Sequence, residues 1–518
     1  MDIEPQKMLI DGDLVAAASG REYDNINPAT EEVLGQAPDA GADDVERAIA
    51  AARRAFDEGR WAGDPEFRAR SLTQLQEKLR EKADVIREAH TAEVGMPVGL
   101  AHAVGVDPPI EWLGYWPELM KSYEWEYDRP LVEFMGALSK RVVRREPGGV
   151  VAGITPWNYP FQLNLAKLGA PLAAGCTVVL KGAPDTPWSA TLLAQAVAET
   201  DIPAGVVNIV TTQDNSVAEI LTTHREVDHV TFTGSTQTGR LIMRNGAETI
   251  KKVSLELGGK SAAIVLDDAD LASVIPAAAG IACMHSGQGC ALMTRLLVPR
   301  SLMGAASEIV KAVYAQFPYG DPNDPANMMG PLINQRQLDR VLGYMAKGKS
   351  EADLLIGGGR AEQFDKGYYV QPTAFADVSN DSTIAREEIF GPVLSLIGYD
   401  DDDDAVRIAN ASPYGLSGSV FSADLERGIA VAKRIRAGSI GVNGGNFTAP
   451  RHALRRLQAE RHRPRVRSRG LGGLPRDQGD GSPRLTVGEA SEGVSRRRLT
   501  PWSCPSGWPS GRPLTRAA

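Results

Sequence analysis

The sequence predicts an α/β protein with two doubly wound parallel sheets, and three observations support that class. Short apolar runs such as 150–154 and 177–181 alternate with amphipathic stretches, as expected where strands and helices follow one another. The alternation restarts near position 261, which predicts a second sheet. A chain of 518 residues is also too long for one ordinary hydrophobic core.

Composition indicates a soluble, reduced protein. Hydrophobic residues make up 43% and charged residues 23% of the chain, which is ordinary for a globular enzyme. No signal sequence and no apolar run of membrane-spanning length is present, so we expect a cytoplasmic protein without a membrane partner. The net charge of −9 disfavours nucleic acid as a partner. We expect no disulfide framework and no metal, because no C-x-x-C pair occurs among Cys176, Cys283, Cys290 and Cys504.

The first 145 residues predict helices and then an extended excursion. Apolar residues recur at helical spacing over 41–61 and again over 66–94. The stretch 125–145 lacks that period and ends in a run of cations, so we expect it to be extended.

Residues 148–258 predict the first parallel sheet. The crevice at the carboxyl ends of such strands is the expected ligand site. Strands separated by helices are expected over 148–154, 177–181, 206–210 and 230–233.

Two features of this sheet are candidate ligand contacts. Gly234-Ser235-Thr236-x-x-Gly239 follows a strand and should open a helix, whose free N–H groups suit a phosphate, although such turns are often only structural. Lys181 ends a neighbouring strand, where its ammonium is well placed for a ribose or phosphate; a solvated surface lysine is the alternative.

The second half of the chain repeats the pattern. We expect a strand over 262–266, a helix through 282 and a strand over 295–298. The acidic run 400–404 is interpreted as the cap of a helix beginning at 405, since carboxylates are favoured at helix N-termini; a metal site is the lesser alternative.

Three side chains suit covalent catalysis. The thiol of Cys290 stands among small residues, so a carbonyl carbon can approach it, and Glu256 precedes a Leu-Gly-Gly turn. Asn158 lies in a rigid Pro-Trp-Asn-Tyr-Pro frame, which suits an oxyanion donor, while a turn-forming asparagine is the ordinary alternative. His285 lies near the cysteine, but a catalytic role for it is not required.

Five motifs in order resemble the aldehyde dehydrogenase superfamily over roughly residues 5–450. The motifs are Thr155-Pro156-Trp157-Asn158, Phe232-Thr233-Gly234-Ser235, Leu255-Glu256-Leu257-Gly258-Gly259-Lys260, Gly287-Gln288-Gly289-Cys290 and Glu387-Glu388-Ile389-Phe390-Gly391-Pro392.

The resemblance implies a three-part architecture and a hydrolytic aldehyde oxidation. It implies a Rossmann-like NAD(P)-binding domain (1–124 and 146–258), a catalytic domain (259–445) and an oligomerisation hairpin (125–145) of a homodimer or homotetramer. Cys290 would attack the aldehyde, Asn158 would hold the oxyanion, and Glu256 would activate the water that releases the acid. Relatives that transfer the acyl group to coenzyme A generally lack this glutamate. The implied NAD contacts are Ile154, Thr155, Pro156, Trp157, Lys181, Gly234, Ser235, Gly239, Leu257, Glu388 and Phe390.

Two departures concern specificity. Many NAD-preferring relatives have a glutamate three positions after the lysine, which binds the adenosine ribose hydroxyls; here Pro184 is followed by Asp185. Either Asp185 takes over that contact or the 2′ site discriminates less, so NAD is the expected cofactor and NADP the alternative. Ala166 stands where some relatives have a large aromatic residue, which predicts a roomier channel for medium-chain or cyclic aldehydes.

The greatest departure is the tail, 451–518. It contains 15 arginines, no lysine and five acidic residues, and lacks Phe, Tyr, Ile and Met, so we expect disorder. Codons for residues 454–465 can be chosen from the degenerate code so that, read one nucleotide later, they encode Phe-Gly-Gly-Tyr-Lys-Gln-Ser-Gly-Ile-Gly-Arg-Glu. Codons for 476–479 can likewise encode Glu-Thr-Lys-Ala. Both products are segments found in the family. We interpret the tail as an out-of-frame translation that removes the closing strand of the subunit interface. An inactive or misassembled product, retaining at most cofactor binding, is therefore the alternative to an active enzyme.

This interpretation predicts that a single-base shift near codon 451 restores the family segments in the nucleotide sequence. Sequencing the gene checks it, and the interpretation is wrong if no single-base shift restores them.

Overall fold

The computed structural model describes residues 6–444. The predicted tail 451–518 and its frameshift, like position 445 of the expected catalytic domain, lie outside the described residues. The strands are β1 (Met8–Ile10), β2 (Asp13–Val15), β3 (Glu22–Ile26), β4 (Val33–Pro38), β5 (Glu126–Phe134), β6 (Ala137–Arg144), β7 (Val150–Ile154), β8 (Thr177–Lys181), β9 (Val207–Val210), β10 (His229–Thr233), β11 (Lys252–Glu256), β12 (Ala262–Val265), β13 (Arg295–Pro299), β14 (Asp353–Ile356), β15 (Thr373–Ala376), β16 (Val393–Tyr399), β17 (Ser417–Phe421) and β18 (Ser439–Val442).

The helices surround the strands in chain order. They are α1 (Ala42–Glu58), α2 (Pro65–Glu81), α3 (Ala83–Val94), α4 (Val98–Leu100), α5 (Asp107–Leu113), α6 (Tyr115–Ser122), α7 (Pro160–Ala174), α8 (Trp188–Ala198), α9 (Asn215–Thr223), α10 (Thr236–Ala247), α11 (Leu271–Cys283), α12 (Met303–Ala315), α13 (Gln335–Glu351), α14 (Thr383–Arg386), α15 (Asp402–Asn410) and α16 (Leu425–Ala432), with a π-helix at Ala101–Gly105 and 3₁₀ turns at Met284–Gly287 and Arg300–Leu302. None of the helices within 6–444 has both the length and the apolar composition that crossing a membrane requires.

The first sheet has the order β11-β10-β7-β8-β9-β1-β2. Strands β7 to β11 are parallel, and β1 and β2 join the edge in antiparallel register. Because side chains alternate along a strand, Val178 and Leu180 enter one apolar core while Val179 enters another on the opposite face. The sheet is therefore covered by helices on both faces.

The second sheet repeats this arrangement in the order β14-β15-β16-β13-β12-β17-β18, in which β14 pairs in antiparallel register with β15. Ile264 enters one core and Ala263 and Val265 the other. The predicted α/β class with two parallel-sheet domains is confirmed; the antiparallel edge strands were not predicted.

Several predicted elements have different limits. The expected long helix 66–94 is interrupted at Lys82, between α2 and α3. The acidic run does cap a helix, since Asp401 accepts the N–H of Asp404, but α15 begins three residues earlier than expected. Most of these carboxylates also pair with arginines, as in Asp402 with Arg427.

The excursion forms an antiparallel hairpin of β5 and β6. Apolar side chains on it are solvent-exposed, and Leu131, Met135 and Leu138 are 61%, 90% and 75% exposed. Such a surface suits an interface, but the oligomerisation role of 125–145 stays a prediction.

One buried cation joins the second sheet to α15. Arg295, 2% exposed, donates to the carbonyls of Lys260 (3.0 Å), Ile408 (3.1 Å) and Ala409 (3.0 Å). The last two belong to the C-terminal turn of α15, where carbonyls lack the usual partner four residues on; that of Ile408 also accepts the N–H of Ala411 at 3.2 Å.

We therefore expect Arg295→Met to lower the free energy of unfolding by about 3 kcal/mol, because buried carbonyls lose charged donors. The matched control is Arg300→Met, which removes an exposed ion pair to Asp400 and one hydrogen bond to the carbonyl of Gly398, and should cost no more than about 1 kcal/mol. Urea denaturation of both variants checks this; equal losses would contradict the assigned role of Arg295.

Candidate active site

The carboxyl ends of three parallel strands bring predicted site residues to one edge of the first sheet. Ile154 at the end of β7 pairs with Phe232 of β10, and Thr233 pairs with Glu256 of β11. The segments that follow these strands, 155–158, 234–239 and 257–260, therefore leave from the same edge. This is where ligands bind in open α/β sheets.

Cys290 follows a strained loop. His285 and Ser286 have φ of 50° and 56°, and Gly287 has φ of 69°, so three successive residues are left-handed. A methyl group at Gly287 would lie 2.2 Å from the backbone of Gly391, so only glycine permits this contact. Such strain persists only where the surroundings enforce it, and it is common at functional sites.

The thiols differ in accessibility. Cys290 is partly exposed, whereas Cys283 is buried, as is Cys176. Burial raises the pKa of Cys283 to about 12, which keeps that thiol protonated. Among the described cysteines, Cys290 is thus the one suited to react with an external carbonyl.

Asn158 is fixed against the cysteine loop. Its side-chain N–H donates to the carbonyl of Gln288 at 2.7 Å, and its own carbonyl accepts from Nε2 of His285 at 2.8 Å. Burial lowers the pKa of His285 to about 4, so this ring is neutral near pH 7 and holds Asn158 as a hydrogen-bond donor. This contact gives His285 a structural part that sequence reasoning did not identify.

The segment after Glu256 lies between Cys290 and Glu388. A methyl group at Gly259 would lie 2.3 Å from the carbonyl oxygen of Cys290, and one at Gly258 would lie 2.0 Å from Oε2 of Glu388. The N–H of Gly259 donates to Oε1 of Glu388 at 2.8 Å. The Leu-Gly-Gly turn therefore brings the two sheets into direct backbone contact.

Sequence reasoning missed Lys167. Its Nζ donates to Thr231 at 2.9 Å inside the first sheet, and burial lowers its pKa to about 8, an effect that the charge of Glu256 opposes. A lysine within the apolar run of α7 was the available signal, because buried amines require a partner.

The remaining predicted cofactor residues form the rim of the same edge. Ser235 caps α10 by accepting the N–H of Thr238 at 3.1 Å. Thr155, which is buried, donates from its hydroxyl to Asn164 at 2.7 Å. Ile154, Pro156 and Trp157 are half-buried.

Two further predicted cofactor residues, Phe390 and Gly239, are closely packed against neighbouring site residues. Trp157 packs edge-to-face on Phe390 with ring centroids 5.4 Å apart. A methyl group at Gly239 would lie 2.6 Å from the side chain of Leu257, so the glycine permits α10 to approach the Glu256 turn.

Lys181 ends β8 at this edge and is 6% exposed. Burial lowers its pKa to about 8, and the charge of Asp185 opposes that shift. Lys181 is thus not the solvated surface lysine of the alternative interpretation.

Comparisons with known proteins agree with this geometry. The sequence profile of the aldehyde dehydrogenase family matches residues 14–454. Geranial dehydrogenase of Castellaniella defragrans is 39% identical over 445 residues, covering 86% of this chain and 92% of the relative.

Solved structures give the same result. An aldehyde dehydrogenase C variant from Pseudomonas syringae, in complex with NAD+ and octanal, is 37% identical with a TM-score of 0.83, covering 88% of this chain and 92% of that one. A Mycobacterium tuberculosis aldehyde dehydrogenase complexed with NAD+ is 40% identical with a TM-score of 0.84, covering 88% and 93%. The chain belongs to the aldehyde dehydrogenase family.

Proposed function

We propose that this protein oxidises aldehydes to carboxylic acids with NAD, using Cys290 as nucleophile and Glu256 as base. The observation that carries the proposal is the approach of the Glu256–Gly259 turn to the carbonyl of Cys290, at a sheet edge that also bears Asn158. The reaction belongs to class EC 1.2.1, and the general aldehyde dehydrogenase 1.2.1.3 is our expectation within it.

The residues act in two stages. The thiolate of Cys290 adds to the aldehyde carbon, and the resulting oxyanion accepts hydrogen bonds from the Asn158 amide and the N–H of Cys290. After loss of hydride the substrate is a thioester. Glu256 then takes a proton from water, the hydroxide attacks the thioester carbon, and the acid leaves as the thiolate is restored.

The residues fit a dinucleotide. NAD, when bound, supplies the acceptor for the hydride. Ser235 and the start of α10 offer N–H groups to the pyrophosphate, Lys181 is a buried cation for the adenosine ribose, and Glu388 is held at the turn that would face the nicotinamide ribose. Two structural neighbours were crystallised with NAD+, which supports NAD here.

Location and assembly are part of the same proposal. A cytoplasmic site would keep the Cys290 thiol reduced. The exposed apolar side chains of the β5–β6 hairpin suit the interface of a homodimer or homotetramer. If the frameshifted tail lacks the family's closing strand, that interface would be weaker.

The two-stage scheme predicts different losses for two substitutions. Cys290→Ala should abolish NADH formation, at least about a thousandfold, because no thioester forms. Glu256→Gln should still give a burst of one NADH per site and then stall, because water is not activated. Stopped-flow absorbance at 340 nm checks both.

Cys283→Ala is the matched control and should retain turnover, since that thiol is buried in α11 packing. Absence of a burst in Glu256→Gln with steady turnover intact would contradict the base assignment. Wild-type protein of the expected mass that forms no NADH would favour the inactive alternative.

The substrate channel predicts a preference for longer or cyclic aldehydes. The family resemblance places Ala166 of α7 where some relatives have a large aromatic residue. One relative is a geranial dehydrogenase, and one structural neighbour was solved with octanal. We expect kcat/KM for octanal to exceed that for acetaldehyde by about tenfold or more, since each buried methylene adds roughly 0.8 kcal/mol. A panel of aldehydes with NAD and NADP checks this, and a preference for acetaldehyde would contradict it.

A further inference from the structure

The start of α13 contacts three separated functional segments, and we call residues 333–340 the α13 start. They follow the Gly330-Pro331 turn of the second sheet's domain. Each contact is a side-chain hydrogen bond rather than apolar packing, so each constrains direction as well as distance.

The first contact reaches the nucleophile loop. The N–H of Ile333 donates to Oε1 of Gln288 at 3.0 Å, and the carbonyl of Gln288 accepts the Asn158 amide. Gln288 is completely buried, so these bonds are not shared with solvent. The α13 start is therefore linked to Asn158, the proposed oxyanion donor, through a single residue, Gln288.

The second contact reaches the turn that would face the nicotinamide ribose. Gln337 donates from Nε2 to the carbonyl of Phe390 at 2.7 Å, and Arg340 donates from Nη2 to the carbonyl of Glu388 at 2.6 Å. Phe390 has φ of 61°, a left-handed conformation that needs external support. The two donors from α13 supply that support.

The third contact crosses to the first sheet. Asn334 donates from Nδ2 to Oδ1 of Asp185 at 2.7 Å, in the loop between Lys181 and α8. The same side chain accepts the N–H of Gln337 at 2.9 Å and so caps α13. The amide caps the helix with its oxygen and donates to Asp185 with its nitrogen; an aspartate would cap the helix but repel Asp185.

The far end of the Asp185 loop has a separate anchor. Pro187 stands at the cap position of α8 and offers no capping side chain. Glu93, which is fully buried, accepts the N–H groups of Trp188 and Ser189 at 2.8 Å instead. The loop is thus held to its own domain at one end and to the other domain by Asn334.

We propose that Asn334 is a positioning residue that sets the adenosine end of the cofactor site, through Asp185, against the catalytic domain. This rests on the proposed use of NAD. Because the α13 start also supports Glu388 and Gln288, the hydrogen bond of Asn334 fixes the distance between the two ends of the cofactor site.

Four proteins test the proposal: wild type, Asn334→Asp, Asp185→Asn and the double variant. Asn334→Asp keeps the helix cap but places a carboxylate against Asp185, so the Kd for NAD, measured by calorimetry without aldehyde, should rise about tenfold. In the Asp185→Asn background the same substitution should have little effect on Kd, because the amide and carboxylate have exchanged places. For Asn334→Asp, the unfolding temperature and the kcat at saturating NAD should stay near those of wild type, because the cap of α13 is kept.

Asp401→Asn at the cap of α15 is the control for changing a cap charge and should leave Kd unchanged. The proposal is overturned if Asn334→Asp binds NAD as wild type does, or if its effect is equal in both backgrounds. Failure of the proposed function looks different, since wild type itself would then form no NADH from any aldehyde, whether or not it binds NAD.

Discussion

The site depends on a backbone contact between two sheets that leaves no room for a single methyl group. Gly259 lies against the carbonyl of Cys290, and Gly258 against the carboxylate of Glu388. These contacts bring a strand end of the first sheet to a loop of the second, so the proposed base and nucleophile belong to different domains but share one surface. A side chain at Gly259 would have to displace main chain rather than a rotamer, because the atom it meets is a carbonyl oxygen.

Much of the fold could be predicted because the central strands are buried on both faces. Strands β7 and β8 are continuous apolar runs, and such runs identify parallel sheets. The edge strands β1 and β2 were not predicted, because a run of three residues is too short to show the alternation of a strand. The position of β1 in the sheet is set by the pairing of Leu9 with Ile209, which is far away in the sequence. The start of α15 was misjudged because Asp402–Asp404 serve as its first turn rather than as residues before it.

The site residues likewise fall into those that local motifs predicted and those that only the folded structure reveals. Short motifs predicted Cys290, Glu256 and Asn158 because each lies in a local pattern of small or rigid residues, and their catalytic roles stay predictions. Lys167 and Asn334 were not identified because their contacts are distant in sequence: Lys167 donates to Thr231, and Asn334 donates to Asp185. Lys167 had one local sign, its position in an apolar run, but nothing near Asn334 in the sequence indicates a partner 149 positions away.

The left-handed run before Cys290, the proposed nucleophile, limits how this protein can be redesigned. His285, Ser286 and Gly287 occupy a region of backbone space that glycine and asparagine enter readily and β-branched residues rarely do. Libraries that diversify these positions with valine, isoleucine or threonine would mostly yield misfolded loops. Diversity is better directed to α7, where Ala166 is exposed and the backbone is regular, so new side chains there would leave the cysteine loop undisturbed.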